Sequence, residues 1–140
     1  MKVYIPKDRV KVSLKGSDLA FVLSPLTAKQ KGEVMSCLTL KGGDAIQDRW
    51  EMVRLAIRYS LKGIDGITDS EDKPIEMTLD PDGGLSTDSM DVVMNMGTAM
   101  DLCYTAALQL ATQGLPDGTI LNPNTGKPFE DVEVTVNPKK

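Results

Sequence analysis

Residues Ser86–Gly114 read STDSMDVVMNMGTAMDLCYTAALQLATQG, and the rest of the chain is organised around this stretch. Ser86 or Thr87 can cap a helix, because a side-chain oxygen there accepts from a free amide two or three residues on. Asp88 and Asp91 place negative charge at the positive end of the helix dipole. Gly114 suits the left-handed position past a helix end, and Pro116 follows it. Between these signals Val93, Met96, Met100, Cys103, Ala107 and Leu110 recur at spacings of three and four. Val92, Met96, Ala99, Cys103, Ala106 and Leu110 form a second apolar row, and Asn95, Thr98, Asp101, Thr105 and Gln109 form the polar back. The pattern predicts one helix over 87–113. Gly97 in its middle costs about 1 kcal/mol against Ala and marks a close helix approach or a soft point.

Methionine supplies the bulk of this apolar face. Such a stripe is most often simply core. Methionine also adapts to irregular partners, and binding surfaces that accept many sequences overuse it. The candidate partner-binding residues are therefore Met94, Met96 and Met100 on this helix, with Arg54 and Arg58 as a polar rim.

Upstream, Val10, Val12 and Leu14 alternate with Lys11 and Ser13, the period of a half-buried strand. Lys15–Asp18 is turn chemistry, and Leu19–Leu23 is a second short apolar run, so the two read as a β-hairpin. Thr27-Ala28-Lys29-Gln30 matches a capping box and opens a helix over about 27–41, with Val34, Met35 and Leu38 on its inner face and Gly42-Gly43 as its stop. Asp44, with Gln47 three residues on, opens a third helix over about 44–62. Its stripe is Ile46, Trp50, Val53, Ile57 and Leu61, and Gly63 closes it. Arg54, Arg58 and Lys62 form one basic ridge on that helix, most simply a solvated face.

From Gly63 acids dominate, and Lys73 is the only base between Asp65 and Asp91. Residues 64–77 read as a small hairpin or an ordered loop. Asp80-Pro81-Asp82-Gly83-Gly84 reads as a linker, with 78–86 expected to be mobile. A calcium site fails here on ligand spacing, since the glycine is preceded by only two acids in register and no glutamate follows at the required spacing. Leu115–Phe129 is turn-rich, and Val132, Val134 and Val136 alternate with Glu133 and Thr135 as a short terminal strand. The expected fold is one domain, 1–140, with 1–9 and 137–140 as mobile termini. It is mainly α, with three principal helices, an N-terminal β-hairpin and a short C-terminal strand, an α+β arrangement dominated by helix.

The 140 residues carry a net charge of −4, no histidine and only 4% aromatics. An acidic chain without clustered Lys and Arg is poorly suited to phosphate contacts, so no nucleic-acid partner is expected. No apolar run approaches the roughly 18 residues of a membrane span, and Met1–Arg9 lacks the apolar core of a signal peptide. Cys37 and Cys103 fall on helical patterns far apart and read as reduced, buried thiols. Without histidine, a P-loop, a dinucleotide fingerprint or a nucleophile elbow, neither an enzyme nor a cofactor or metal site is expected.

Two stretches carry a family resemblance. Phe21-Val22-Leu23-Ser24-Pro25-Leu26-Thr27 is a short strand ending in Pro-Leu-Thr before a helix. Ile57–Asp69, continuing to Lys73-Pro74-Ile75, is a helix, a Gly-aliphatic-Asp-Gly-aliphatic run, an acidic turn and a Pro-aliphatic pair. Over residues 19–113 the chain resembles the tail assembly chaperones of long-tailed phages, the relatives of the lambda-type G product. Ile64 stands where that pattern has Trp, and Asp72 where it has Gly. The resemblance implies a helical, oligomeric protein of the host cytoplasm, lost from the mature virion. It implies a coat for the tape measure protein, a long helical chain whose exposed apolar positions would otherwise associate. It also implies a longer, frameshifted form that recruits tail tube subunits. A structural tail or head–tail joining subunit that forms a ring, and an interaction module outside phages, are the competing readings.

Overall fold

The computed structural model describes residues 1–41, 44–47 and 49–138, with the backbone alone given for 38–41 and 44–47. In chain order the elements are β1 (Val10–Leu14), β2 (Ala20–Leu23), α1 (Ala28–Met35), β3 (Leu38–Lys41), β4 (Asp44–Gln47), α2 (Arg49–Ser60), β5 (Leu61–Asp65), α3 (Thr87–Met94), α4 (Ala99–Thr112) and β6 (Val132–Val136).

The hairpin read from residues 10–23 is present, with Val12 opposite Phe21. It is the centre of a four-stranded antiparallel sheet in the order β5-β2-β1-β6. The terminal valine run pairs along the whole of β1, with Val134 opposite Val12. Period-2 alternation sends Val10, Val12, Phe21, Leu23, Ile64 and Val132 to one face, where they share a single core with α2, α3 and α4. Lys11 and Asp65 meet at 3.6 Å, far from that core in character and both partly exposed. Within the core α2 packs on α4, and α1 packs on both.

The protein is not mainly α. The expected helix over 27–41 stops at Met35, and the expected helix over 44–62 shrinks to Arg49–Ser60. Two strands replace the lost turns: Leu38–Lys41 pairs antiparallel with Asp44–Gln47, Lys41 facing Asp44. Two short runs separated by Gly-Gly are a hairpin signal as well as a helix stop followed by a cap, and the pairing prevails here. Asp44 is therefore a strand residue and caps no helix. Gly42, Gly43 and Asp48 lie outside the described residues.

The third lost turn lies past Ser60. Leu61–Asp65 leaves the helical path and pairs with β2, Ile64 opposite Phe21. The Ser24 amide donates to the Ser60 carbonyl at 2.8 Å at this corner. A strand edge offers every one of these peptide groups a partner, which outweighs the helical spacing that Leu61 continues. Trp50, read as part of the inner stripe, lies in the first turn of α2 and is 63% exposed, while Val53 and Ile57 of that stripe are buried. Cys37 likewise lies beyond α1 and is only half-buried.

The stretch Ser86–Gly114 is two helices, not one. Ser86 caps α3, its hydroxyl accepting from the Ser89 amide at 3.2 Å. The helix ends at Asn95, and Gly97 takes φ +64° before α4 begins. That left-handed conformation is nearly free for glycine and costs other residues about 1–2 kcal/mol. A Cβ at Gly97 would meet nothing within 4 Å, so the glycine serves the turn and no helix packs against it. Elsewhere Asp72 has φ +62° at the position where the phage family pattern has glycine. The capping box of Thr27 and Gln30 forms as read, with reciprocal bonds of 3.1 and 3.0 Å.

Candidate functional site

α3 is a ridge with a depression on either side. On one side a cleft of about 240 Å³ lies between α2 and α3, lined by Trp50, Arg54, Arg58, Leu85, Thr87, Met90, Asp91 and Met94. On the other side an open groove of about 610 Å³ is lined by Leu19, Gly66, Ile67, Thr68, Ile75, Asp91, Val92, Asn95 and Met96. Asp91 stands on the crest and borders both.

The five residues singled out from the sequence are thus divided. Met94, Arg54 and Arg58 meet in the cleft, although the two arginines lie some thirty-six residues or more from Met94 in sequence. Met96 faces the groove, and Met100, in the first turn of α4, lines neither. All three methionines are half-buried and rest against the core, so each is part core and part surface. The other lining residues, Trp50, Leu85, Thr87, Met90 and Asp91, are not among those the sequence singles out for binding, and the helical stripe puts Trp50 in the interior.

The two arginines differ in kind. Arg54 forms a two-pronged pair with Glu51 one turn earlier, at 2.5 and 2.9 Å. That bond holds the Glu51 carboxyl below its ordinary range. Both side chains remain about 40% exposed, so the pair contributes little stability. Arg58 is more deeply set, with 17% of its side chain exposed, and it bonds Asp80 and Asp82 at 3.0 Å each. It also lies 5.3 Å from the centre of the Tyr59 ring. The Tyr59 hydroxyl donates to Glu33, and that bond, together with burial, pushes its ionisation upward.

Arg58 therefore ties residues 80–84 to α2 and closes the bottom of the cleft. Gly84 makes this possible. A Cβ there would come within 2.5 Å of the Arg58 guanidinium, so any larger residue would displace it. Lys62 adds a bond to the Gly83 carbonyl at 2.6 Å, and burial followed by the nearby Arg9 charge lowers its ionisation from the ordinary lysine value. The Leu85 amide donates to the Arg58 carbonyl at 2.9 Å, and the Ser86 amide donates to the Thr78 carbonyl at 3.0 Å. The segment 78–86, read as a linker, is folded back on α2 and the start of α3 by these bonds.

Chemically, the cleft offers one largely apolar slot lined by a partly exposed indole, two adaptable thioethers and two arginines whose guanidiniums are paired with carboxylates. That suits insertion of a single large apolar side chain from a helix with polar or acidic neighbours. Cys103 is fully buried away from both depressions, and burial pushes its thiol up to about 12. Such a thiol carries almost no thiolate at neutral pH and has a packing role. Among the described residues no helix is long and apolar enough to cross a membrane. Compared with protein-family models, with curated proteins and with solved structures, the chain matches none of them.

Proposed function

We propose that this protein is a tail assembly chaperone of a long-tailed phage, and that the cleft between α2 and α3 holds apolar helical segments of the tape measure protein. The observation that carries the reading is the convergence of exposed Trp50 with Met90, Met94 and Arg54 around one side-chain-sized slot. A long helical partner presents many similar apolar side chains, and a methionine-lined slot takes them without demanding one sequence. The binding mode is helix-in-groove, with an anchor side chain buried and the arginine pairing at the rim. Covering such positions keeps the partner soluble in the host cytoplasm until tube subunits polymerise around it. A longer frameshifted form brings those subunits, and the chaperone is lost from the mature virion.

Trp50 is the only tryptophan, so the protein carries its own reporter. Co-expression with the long helical protein encoded beside it should give a soluble, co-eluting complex, and the indole emission should shift to the blue on binding. Trp50→Ala should weaken the complex at least tenfold while leaving the unfolding midpoint nearly unchanged, as expected for an exposed side chain. A complex that forms with unaltered emission and tolerates Trp50→Ala would move the interface off the cleft. A discrete ring that ignores the long protein would replace the chaperone with a structural tail or connector subunit.

A further inference from the structure

The amino-terminal segment Met1-Lys2-Val3-Tyr4-Ile5-Pro6-Lys7 has one face with no cover. Among the described residues Met1, Val3 and Ile5 are three of the large apolar side chains left exposed, Val3 at 71% and Ile5 at 43%. They alternate with Tyr4, which turns inward toward Gly118 and rests on the core. Tyr4 alone turns inward, and the apolar side chains on either side of it are left bare. The base of the segment is fixed: the Asp8 amide donates to the Ile5 carbonyl at 2.8 Å, and the Arg9 amide donates to Asn137 just past β6 at 2.8 Å. The segment therefore leaves from the β6 edge of the sheet, carrying Lys2 and Lys7 beside its bare apolar face.

At the opposite edge lies the groove on the far side of α3. Leu19, Ile67, Ile75, Val92 and Met96 make it apolar. Asp91 stands at one end. A smaller trough of about 420 Å³ continues it past Ile67 and Ile75, and carries Glu76 and Asp65. Asp65 already faces Lys11, whereas Asp91 and Glu76 have no ion-pair partner among the described residues. An apolar trough bordered by two free carboxylates complements an apolar segment with a lysine on each side.

The groove of the same chain is out of reach. Three strand spacings separate β6 from β5, roughly 14 Å. The unanchored residues Met1–Val3 extend at most about 10 Å. We propose that this segment of one copy docks in the α3 groove of the next, with Val3 and Ile5 on the apolar floor and Lys2 and Lys7 against the carboxylates. The contact joins unlike surfaces at opposite edges of the sheet, so it propagates, and it gives a closed ring or an open array rather than a two-fold dimer. It uses the groove side of α3 and shares only Asp91 on the crest with the cleft, and because assembly is read on the chain alone, its failure is distinguishable from failure of the tape measure reading.

Sedimentation and light scattering over a concentration series test it. The wild-type chain should assemble beyond two copies, less so at high salt. Val3→Asp/Ile5→Asp, confined to exposed positions, should be a single copy with an unchanged unfolding midpoint. Lys2→Glu/Lys7→Glu and Asp91→Lys/Glu76→Lys should each lose assembly alone. Mixed in equal amounts, the two should re-form an alternating assembly, because the reversed arm matches the reversed groove and the native arm matches the native groove. A wild-type chain that stays single, an assembly indifferent to the arm variants, or a mixture that fails to assemble would each overturn the proposal. If the arm variants leave assembly intact and an apolar helical peptide fills the groove instead, the groove belongs to that peptide.

Discussion

α3 and α4 are halves of one apolar stripe, yet they meet the rest of the protein differently. In α4 the inner row is Cys103, Ala106, Ala107, Leu110 and Ala111, all fully or almost fully buried, and the helix packs closely on α2. Small side chains let two backbones approach and leave no space between them. In α3 the buried residues are Ser89, Met90 and Val93, and the flanks are Asp91, Val92, Met94 and Asn95. Longer, softer side chains on a shorter helix hold it away from its neighbours, and a depression opens on either side. Periodicity is the same in both halves. Side-chain size decides how closely the inner row of each half packs, while the outer face of α4 still borders a depression of about 430 Å³ against residues 121–126.

The largest break in this comparison should come from the closed half. Leu110 is fully buried, so Leu110→Ala should cost about 2–5 kcal/mol, read as a fall in the urea midpoint with an unchanged slope. A loss under 1 kcal/mol would mean that α4 is far less tightly packed than described.

The junction between the halves gives a sharper test, because the sign of the effect is informative. At φ +64° an alanine is strained, so Gly97→Ala should destabilise by about 1 kcal/mol. Were the stretch one continuous helix, the same change would stabilise by about 1 kcal/mol. Denaturation with far-UV circular dichroism separates the two, since the second case also raises helix content.

The smallest effect should come from the clamp under the open half. The Gly84 amide and the Arg58 guanidinium hold the Asp82 carboxyl below its ordinary value of 3.8. A depressed carboxylate stabilises the fold fully above the unfolded value, and the contribution is lost as pH falls through the folded one. Between neutrality and about pH 5 the midpoint should therefore be flat with respect to this group. Below 3.8 it should fall, and Asp82→Asn should remove part of that acid limb while changing little at pH 7. Identical acid limbs in the two proteins would detach Asp82 from the clamp.

Much of the local structure was legible in the residues. The alternation of Val10, Val12 and Leu14, and of Val132, Val134 and Val136, identified strands because a pleated sheet with one dry face demands it. Ser86 and Thr27 announced helix starts because orphan amides need an acceptor. Of the cleft, Met94, Arg54 and Arg58 were found through residue type and spacing. Trp50 was hidden because helical phase says which face a residue occupies, and nothing about whether the neighbouring element extends far enough to cover it.

The sequence by itself determined the β-hairpin, the terminal strand, two helix caps, the acidic character of 65–91 and the apolar stripe of 86–114. All of these rest on interactions between residues a few positions apart. Tertiary structure alone decided that Leu61–Asp65 is a strand and that Arg58 ties the 80–84 turn to α2. In each case a distant partner (the β2 edge, a pair of aspartates more than twenty residues away) offers a backbone or charge more than its local pattern does. Such partners leave no period in the chain.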